Sequence, residues 1–182
     1  MRQLVAVLVA AFAASAFGQA FPTRPITMIV PYAAGGSADV VARPVAAEMG
    51  KVLGENVVVE LRPGAGGNIG AEHVARSARA DGYTILLASL SLATNVSLMK
   101  LSFDPRKDLA AIGGITTFPN VLLVSSQDPA RSLQDIISRA RQEPGKLTYG
   151  SSGPGTSSHL AGELLSAAAS IQVVRDNVSP VR

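Results

Sequence analysis

Two stretches of the chain combine bare backbone with hydroxyl groups: "VPYAAGGSAD" at residues 30–39 and "YGSSGPGTSSHL" at residues 149–160. Each leads from an apolar run into the start of a helical pattern through Gly, Ala and Ser. A helix start leaves several N–H groups without intrahelical partners, and the peptide dipoles add partial positive charge there. Small residues let a ligand reach that backbone, and the hydroxyls of Ser151, Ser152, Thr156 and Ser157 add donors. The chemistry these stretches suit is capture of a small anion, such as a carboxylate, without a reactive side chain. Gly and Ser also serve plain turns and caps, the commoner use of any single such loop. Asp39 fits a capping or loop-orienting role better than ligand contact, because a carboxylate facing an anion is repulsive.

Catalytic alternatives find little support. His73 and His159 are the two imidazoles, and neither sits in an H-x-x-x-H pair or beside a useful carboxylate motif. Ser157, Ser158 and His159 are too close along one helix to face each other as nucleophile and base. "GSSGPG" lacks the G-x-S-x-G spacing of a nucleophile elbow. His73 reads as a helix-surface residue, and His159 as a capping or supporting residue behind the anion loop. A third loop, "GAGGNIG" at Gly64–Gly70, invites a dinucleotide reading. Its glycine spacing is irregular, it follows the second strand instead of the first, and the acid expected about 20 residues later is replaced by Ala88 and Ser89. It reads as packing or as part of a cleft wall.

The elements that must position these loops follow from periodicity. "ITMIVPY" from Ile26, "NVVVEL" from Asn56 and "TILLAS" from Thr84 read as buried strands. Between them lie two helical patterns. In the first, Val41, Val45, Met49 and Val52 form the apolar stripe, Ser37 the N-cap and Gly54 the stop, with Pro44 expected to kink the helix or delay its start. The second is "GAEHVARSARA". Strands alternating with helices, each strand nearly continuous in apolar character, argue for an α/β fold on a parallel sheet. Further on we expect a short helix after Ser89, a crossing strand near Ile112, a strand "NVLLVSS" from Asn120, and a helix opened by a capping box at Ser132 and Asp135. "LTY" and "GTSSHLAGELLSAAAS" then give another strand and helix, beginning a second unit.

Composition narrows the class. The chain has 182 residues, 47% hydrophobic, and no Cys, which excludes disulfide scaffolds, Cys-based zinc sites and thiol catalysis. Its formal charge of +3, with no basic run and few aromatics, offers nucleic acid no footprint. "MRQLVAVLVAAFAASAFGQA" has one cation, an apolar stretch from Leu4 to Phe17 and small residues at Gly18 and Ala20. This is the layout of a secretory signal peptide cleaved after Ala20, and its apolar run is shorter than the ~20 residues a membrane span needs. The organisation expected is residues 1–20 as leader, 21–117 as a first α/β lobe and 118–182 as part of a second.

"RPITMIVPYAAGGSADVVAR", "RPGAGGNIGAEHVARSARADGYTILLAS" and "PGKLTYGSSGPGTSSHLAGELL" resemble, in order and spacing, the signature regions of the tripartite tricarboxylate transporter substrate-binding receptors, the Bug or TctC family. The likeness runs from about Phe21 to Leu165. It implies a two-lobed fold like that of type II periplasmic binding proteins, without catalysis or cofactor. The ligand would be a small carboxylic or dicarboxylic acid, handed in the periplasm from a monomeric receptor to a membrane permease. Carried over by motif, the ligand residues would be Tyr32, Ala33, Ala34, Gly35, Gly36 and Asp39, with Gly150, Ser151, Ser152, Gly155, Thr156, Ser157 and His159. Ser89 and Ser91 fall where the family places another cleft loop, in a segment that matches less well. Beyond Leu165 the family's "H-V-P-Y-K-G"-like strand and turn give way to "SAAASIQVVRDNVSPVR", so the second lobe is expected to be incomplete, as in a truncated copy. The other readings of the chain are a nucleotide-cofactor α/β enzyme and a fragment without function.

Overall fold

The computed structural model describes residues 20–177, so most of the expected leader and the last residues of the expected second lobe lie outside the described residues. Three strands, β1 (Ile26–Val30), β2 (Val57–Leu61) and β3 (Thr84–Leu86), form one parallel sheet in the order β2-β1-β3. The central position of β1 explains its unbroken apolar sequence: Ile26, Met28, Ile29 and Val30 are all buried. The chain is α/β with parallel sheets, as its alternation of elements requires.

Helix α1 (Ser37–Leu53) crosses from β1 to β2. Its contact face differs from the expected stripe. Ala42 and Ala46 are buried against Met28, Val30 and Leu87, Val45 and Met49 pack at the margin, and Val52 is 85% exposed. Alanine lets the helix approach the sheet closely, and the larger side chains then fill the flanks. Gly36, in extended conformation, is the N-cap instead of Ser37, while Gly54 ends the helix at φ 73° as expected. Pro44 neither delays nor divides the helix. Pro44 and Val40 both face solvent, so the carbonyl that Pro44 leaves without a donor can turn to water.

The Gly-rich third loop makes a short 3-10 turn at Ala65–Gly67, then α2 (Asn68–Glu72), which widens into a π turn at His73–Ser77. Helices α3 (Leu90–Leu98) and α4 (Pro105–Asp108) follow β3. The strands expected near Ile112 and from Asn120 do not form. Residues 109–125 carry no regular structure, and Ile112, Val121 and Leu123 are 84%, 78% and 83% exposed. Apolar, β-branched composition favours a strand only where a neighbouring strand can pair with it, and none does so among the described residues.

Helix α5 (Leu133–Gln142) has the expected capping box: Ser132 Oγ accepts from Asp135 N at 3.2 Å, and Asp135 Oδ2 accepts from Ser132 N at 2.9 Å. Strand β4 (Thr148–Ser151), helix α6 (Ser157–Ala169) and strand β5 (Val174–Asn177) then form a β-α-β unit whose strands are parallel. The departure from the family pattern after Leu165 still yields a strand: the intervening helix has the length a parallel crossover needs, and pairing with Thr148–Ser151 holds a segment whose Asp176 and Asn177 are not strand formers. No helix among the described residues is long and apolar enough to cross a membrane.

Candidate functional site

Parallel pairing sets the first part of the site. Ile29 of β1 is the ladder partner of Leu86 in β3, so the residues three positions beyond each, Tyr32 and Ser89, emerge side by side at the carboxyl ends of the strands. Tyr32 Oη is within hydrogen-bond contact of Ser89 Oγ and lies 2.7 Å from Ser91 Oγ, and the two serine hydroxyls are 3.2 Å apart. Ser91 is buried in the first turn of α3, and Ser89 is that helix's exposed N-cap. The tyrosine ring rests on bare backbone: a Cβ at Gly67 would lie 3.1 Å from Tyr32 Oη. Three hydroxyls thus converge where ligands of open α/β sheets bind.

The Ala33–Gly36 turn follows Tyr32 and is exposed along its length. Asp39, one turn into α1, is buried and points back: its Oδ2 accepts from Gly35 N at 2.9 Å. Arg43 Nη2 lies 2.8 Å from Oδ1 as an ion pair, off the line of a hydrogen bond. The Gly35 hydrogen bond, with help from Arg43 and against the cost of burial, holds the Asp39 carboxyl below its usual range. Asp39 is therefore the brace of the turn, and it takes the Gly35 amide out of service. Gly36 N turns to Ala33 O at 3.4 Å. The N–H groups of Ala33, Ala34 and Ser37 meet no acceptor among the described residues and remain as donors at the start of α1.

The second turn is more self-contained than the sequence suggests. Ser152 N donates to Ser158 Oγ at 3.1 Å, Gly153 N to Ser151 Oγ at 3.4 Å, and Gly155 N to His159 Nδ1 at 3.1 Å. Thr156 Oγ1 donates to Gly153 O at 2.7 Å. Four side chains thus knit the turn: Ser151 and Thr156 are buried, Ser158 accepts from Ser152 N, and His159 accepts from Gly155 N. Among the described residues, the N–H groups of Ser157, Ser158 and His159 at the start of α6 meet no acceptor, and the hydroxyl of the exposed Ser152 makes no hydrogen bond. Gly150 is held in the β4–β5 ladder opposite Asp176.

No hydrogen bond among the described residues joins the Ala33–Gly36 turn directly to the Gly150–Ser157 turn. The link is α3. Thr94 Oγ1 donates to Gly155 O at 2.8 Å, and Asn95, wholly buried, donates to Gly66 O at 3.3 Å and Asn68 Oδ1 at 3.0 Å. At the outer edge Ser157 Oγ donates to Asn120 Oδ1 at 3.2 Å. Sequence reasoning missed Thr94, Asn95 and Asn120. A signal existed for Asn95, which lies one helical turn from Ser91 on the same face; nothing in the sequence marks Asn120.

This arrangement suits binding better than catalysis. His159 Nδ1 is occupied by Gly155 N, and Ser158 Oγ already accepts from Ser152 N, so the two make no nucleophile–base pair. His73 lies in the π turn, outside this hydroxyl cluster. The third loop has no room for a pyrophosphate against its glycines: a Cβ at Gly66 would lie 2.6 Å from Pro154 O, and one at Gly70 would lie 2.7 Å from Pro31. It forms the wall under Tyr32. Among the described residues no group of three His, Asp or Glu side chains is placed to hold a metal ion.

Comparison with known proteins identifies the family. Residues 41–176 match the family model described as the tripartite tricarboxylate transporter family receptor. The protein BugT of Bordetella pertussis is 39% identical over 172 residues, covering 90% of this chain and 52% of BugT. Among solved structures, an R. palustris protein with adipate superposes with a TM-score of 0.82 at 34% identity, over 87% of this chain and 53% of that one. MatC from Rhodopseudomonas palustris with bound malate gives a TM-score of 0.77 at 32% identity, over 87% and 54%. The periplasmic binding protein BugD gives 0.74 at 35%, over 86% and 52%. The chain spans about half the length of these relatives. With a family model matched across most of its length and the same parallel α/β frame beneath the matching motifs, the chain belongs to the tripartite tricarboxylate transporter receptor family.

Proposed function

We propose that this chain is the ligand-gripping part of an exported solute receptor for a small carboxylic or dicarboxylic acid, working with membrane subunits of a tripartite tricarboxylate-type transporter. One observation carries the reading. The unpaired N–H groups of Ala33, Ala34 and Ser37 open beside the Tyr32, Ser89 and Ser91 hydroxyls, a cluster of donors with no cationic side chain among them. Such a cluster favours a carboxylate, whose oxygens accept from several donors at once. The adipate and malate named for two related structures are ligands of that class. The second turn would contribute Ser152, Ser157 and Ser158 to the same anion or to its far end. Closure of the two units on the ligand would be a hinge motion. A periplasmic location, reached through the leader at residues 1–20, and a monomeric state complete the proposal.

A thermal-shift panel tests it. A ligand present at 100 times its Kd stabilises a protein by about 2.7 kcal/mol. Malate, adipate and other dicarboxylates are expected to raise Tm with concentration, while NAD and nucleotides leave it unchanged. A rise with NAD alone would instead support the cofactor-enzyme reading.

The exposed apolar run from Ile112 to Val124 favours a second reading, in which this chain does not hold a binding-competent fold and has no receptor function. A non-cooperative melt with dye-binding hydrophobic surface would support it, and a single cooperative transition would count against it.

A further inference from the structure

We propose that Asn95 is a positioning residue: it fixes where Gly155, and with it the Ser157–Ser158 donors, stands relative to the Tyr32 turn. Three segments meet at its side chain. Nδ2 donates to Gly66 O and Asn68 Oδ1, which pins the amide to the third loop. Oδ1 is buried without a hydrogen-bond partner and faces the α-carbon of Gly155 so closely that a Cβ there would collide with it. The neighbouring Thr94 Oγ1 holds the Gly155 carbonyl at 2.8 Å.

A buried acceptor left without a donor is costly, and an apolar side chain of similar size would remove that cost. The two Nδ2 bonds give fold stability a reason for an amide, since they satisfy Gly66 O and Asn68 Oδ1, but no reason for a bare acceptor edge against Gly155 where a differently seated turn would leave none. Positioning supplies that reason. The two Nδ2 bonds fix the direction of the side chain, and its other edge becomes a stop of fixed height that only a residue without a Cβ can seat against. Ser91, buried one helical turn before Asn95 on the same helix, holds Tyr32. One buried polar face of α3 thus sets both turns. The consequence for ligand binding rests on the carboxylate reading above; the seating of Gly155 does not.

The test uses the full chain and the variants Asn95→Ala, Thr94→Val, Gly155→Ala and the double variant Asn95→Ala/Gly155→Ala. Two readouts are taken: amide hydrogen exchange of residues 153–158 without ligand, and calorimetric Kd for malate and adipate, each beside Tm. Asn95→Ala is expected to speed exchange at residues 155–156 and to weaken binding, each by about tenfold, equivalent to 1.4 kcal/mol. Thr94→Val serves should Asn95→Ala fail to fold, with a several-fold effect in the same direction. Because the collision is between these two groups, the double variant should bind more tightly and exchange more slowly than Gly155→Ala alone. Unchanged exchange in both single α3 variants, or a double variant no better than Gly155→Ala, would overturn the proposal. If the unaltered chain binds neither acid while the exchange pattern holds, the positioning role stands and the carboxylate reading falls.

Discussion

Tyr32 and Ser89 meet because Ile29 and Leu86, three residues before each, are partners in one parallel ladder. The backbone register of the sheet thus fixes a side-chain cluster that lies outside any strand. Ser91 joins it from the first turn of α3, and the open amides of the next turn complete a cluster of hydrogen-bond donors. None of the donors in this cluster belongs to a charged side chain; the carboxylate of Asp39 acts behind them, as the brace of the turn.

The Tyr32 hydroxyl is at the centre of that cluster. Tyr32→Phe keeps the ring that packs on Gly67 and removes Oη. We expect malate or adipate binding to weaken by about tenfold, the upper range for one hydrogen bond, and Tm to fall by roughly 2–4 °C, since the buried Ser91 hydroxyl loses Tyr32 and keeps Ser89 as its partner. Calorimetry on the purified variant checks the first expectation and a thermal melt the second.

Asp39 links pH to the order of the first turn. Its folded-state pKa lies below the ordinary value because Gly35 N and Arg43 favour the carboxylate. A depressed folded pKa contributes stability that is present above the unfolded value, about 3.9, and is lost as pH falls through the folded pKa. Melting temperature should therefore drop on acidification below about pH 4, and Asp39→Asn should lower Tm at pH 7 while shrinking the drop. Asp128, held low by Arg139, titrates in the same direction and remains as background in the variant. Melts at several pH values in both proteins decide this.

The capping box of α5 gives a prediction of stability alone. Ser132→Ala removes the acceptor for Asp135 N, and loss of an N-cap side chain costs about 1 kcal/mol. For a chain of this size that is a fall in Tm of roughly 2–4 °C. Binding of malate should be unaffected.

Residues 109–125 offer the converse. Leu123 is 83% exposed, so Leu123→Ser should change stability by less than about 0.5 kcal/mol while reducing any non-specific aggregation at high protein concentration. Denaturant melts and light scattering at several protein concentrations measure the two effects. A loss of several kcal/mol would show that the segment is packed as a strand after all.

Much of the frame was legible because it is written in local chemistry. The run from Ile26 to Val30 demanded burial, Gly54 supplied the left-handed cap, and Ser132 with Asp135 spelled a capping box that the structure contains. The strands expected near Ile112 and Asn120 failed for a different kind of reason: their composition is right, but a strand exists only by pairing, and a single sequence does not say what lies beside it. The two glycine turns were visible as segments. Which of their amides remain open was not, since Asp39, Ser158 and His159 reach back to occupy Gly35, Ser152 and Gly155 through contacts that depend on rotamer and turn geometry. Asn95 could have been suspected from its spacing to Ser91, whereas its meeting with Gly155 brings together residues 60 positions apart in the sequence.

The most direct test of the central claim, that backbone amides and hydroxyls grip the acid, is an amide chemical-shift titration of the labelled chain with malate and with adipate. The largest, saturable shifts should fall at Ala33, Ala34 and Ser37, with a second group at Ser157 and Ser158. Shifts concentrated in the Gly64–Gly70 loop or around the surface arginines, with the amides of residues 33–37 unmoved, would contradict it.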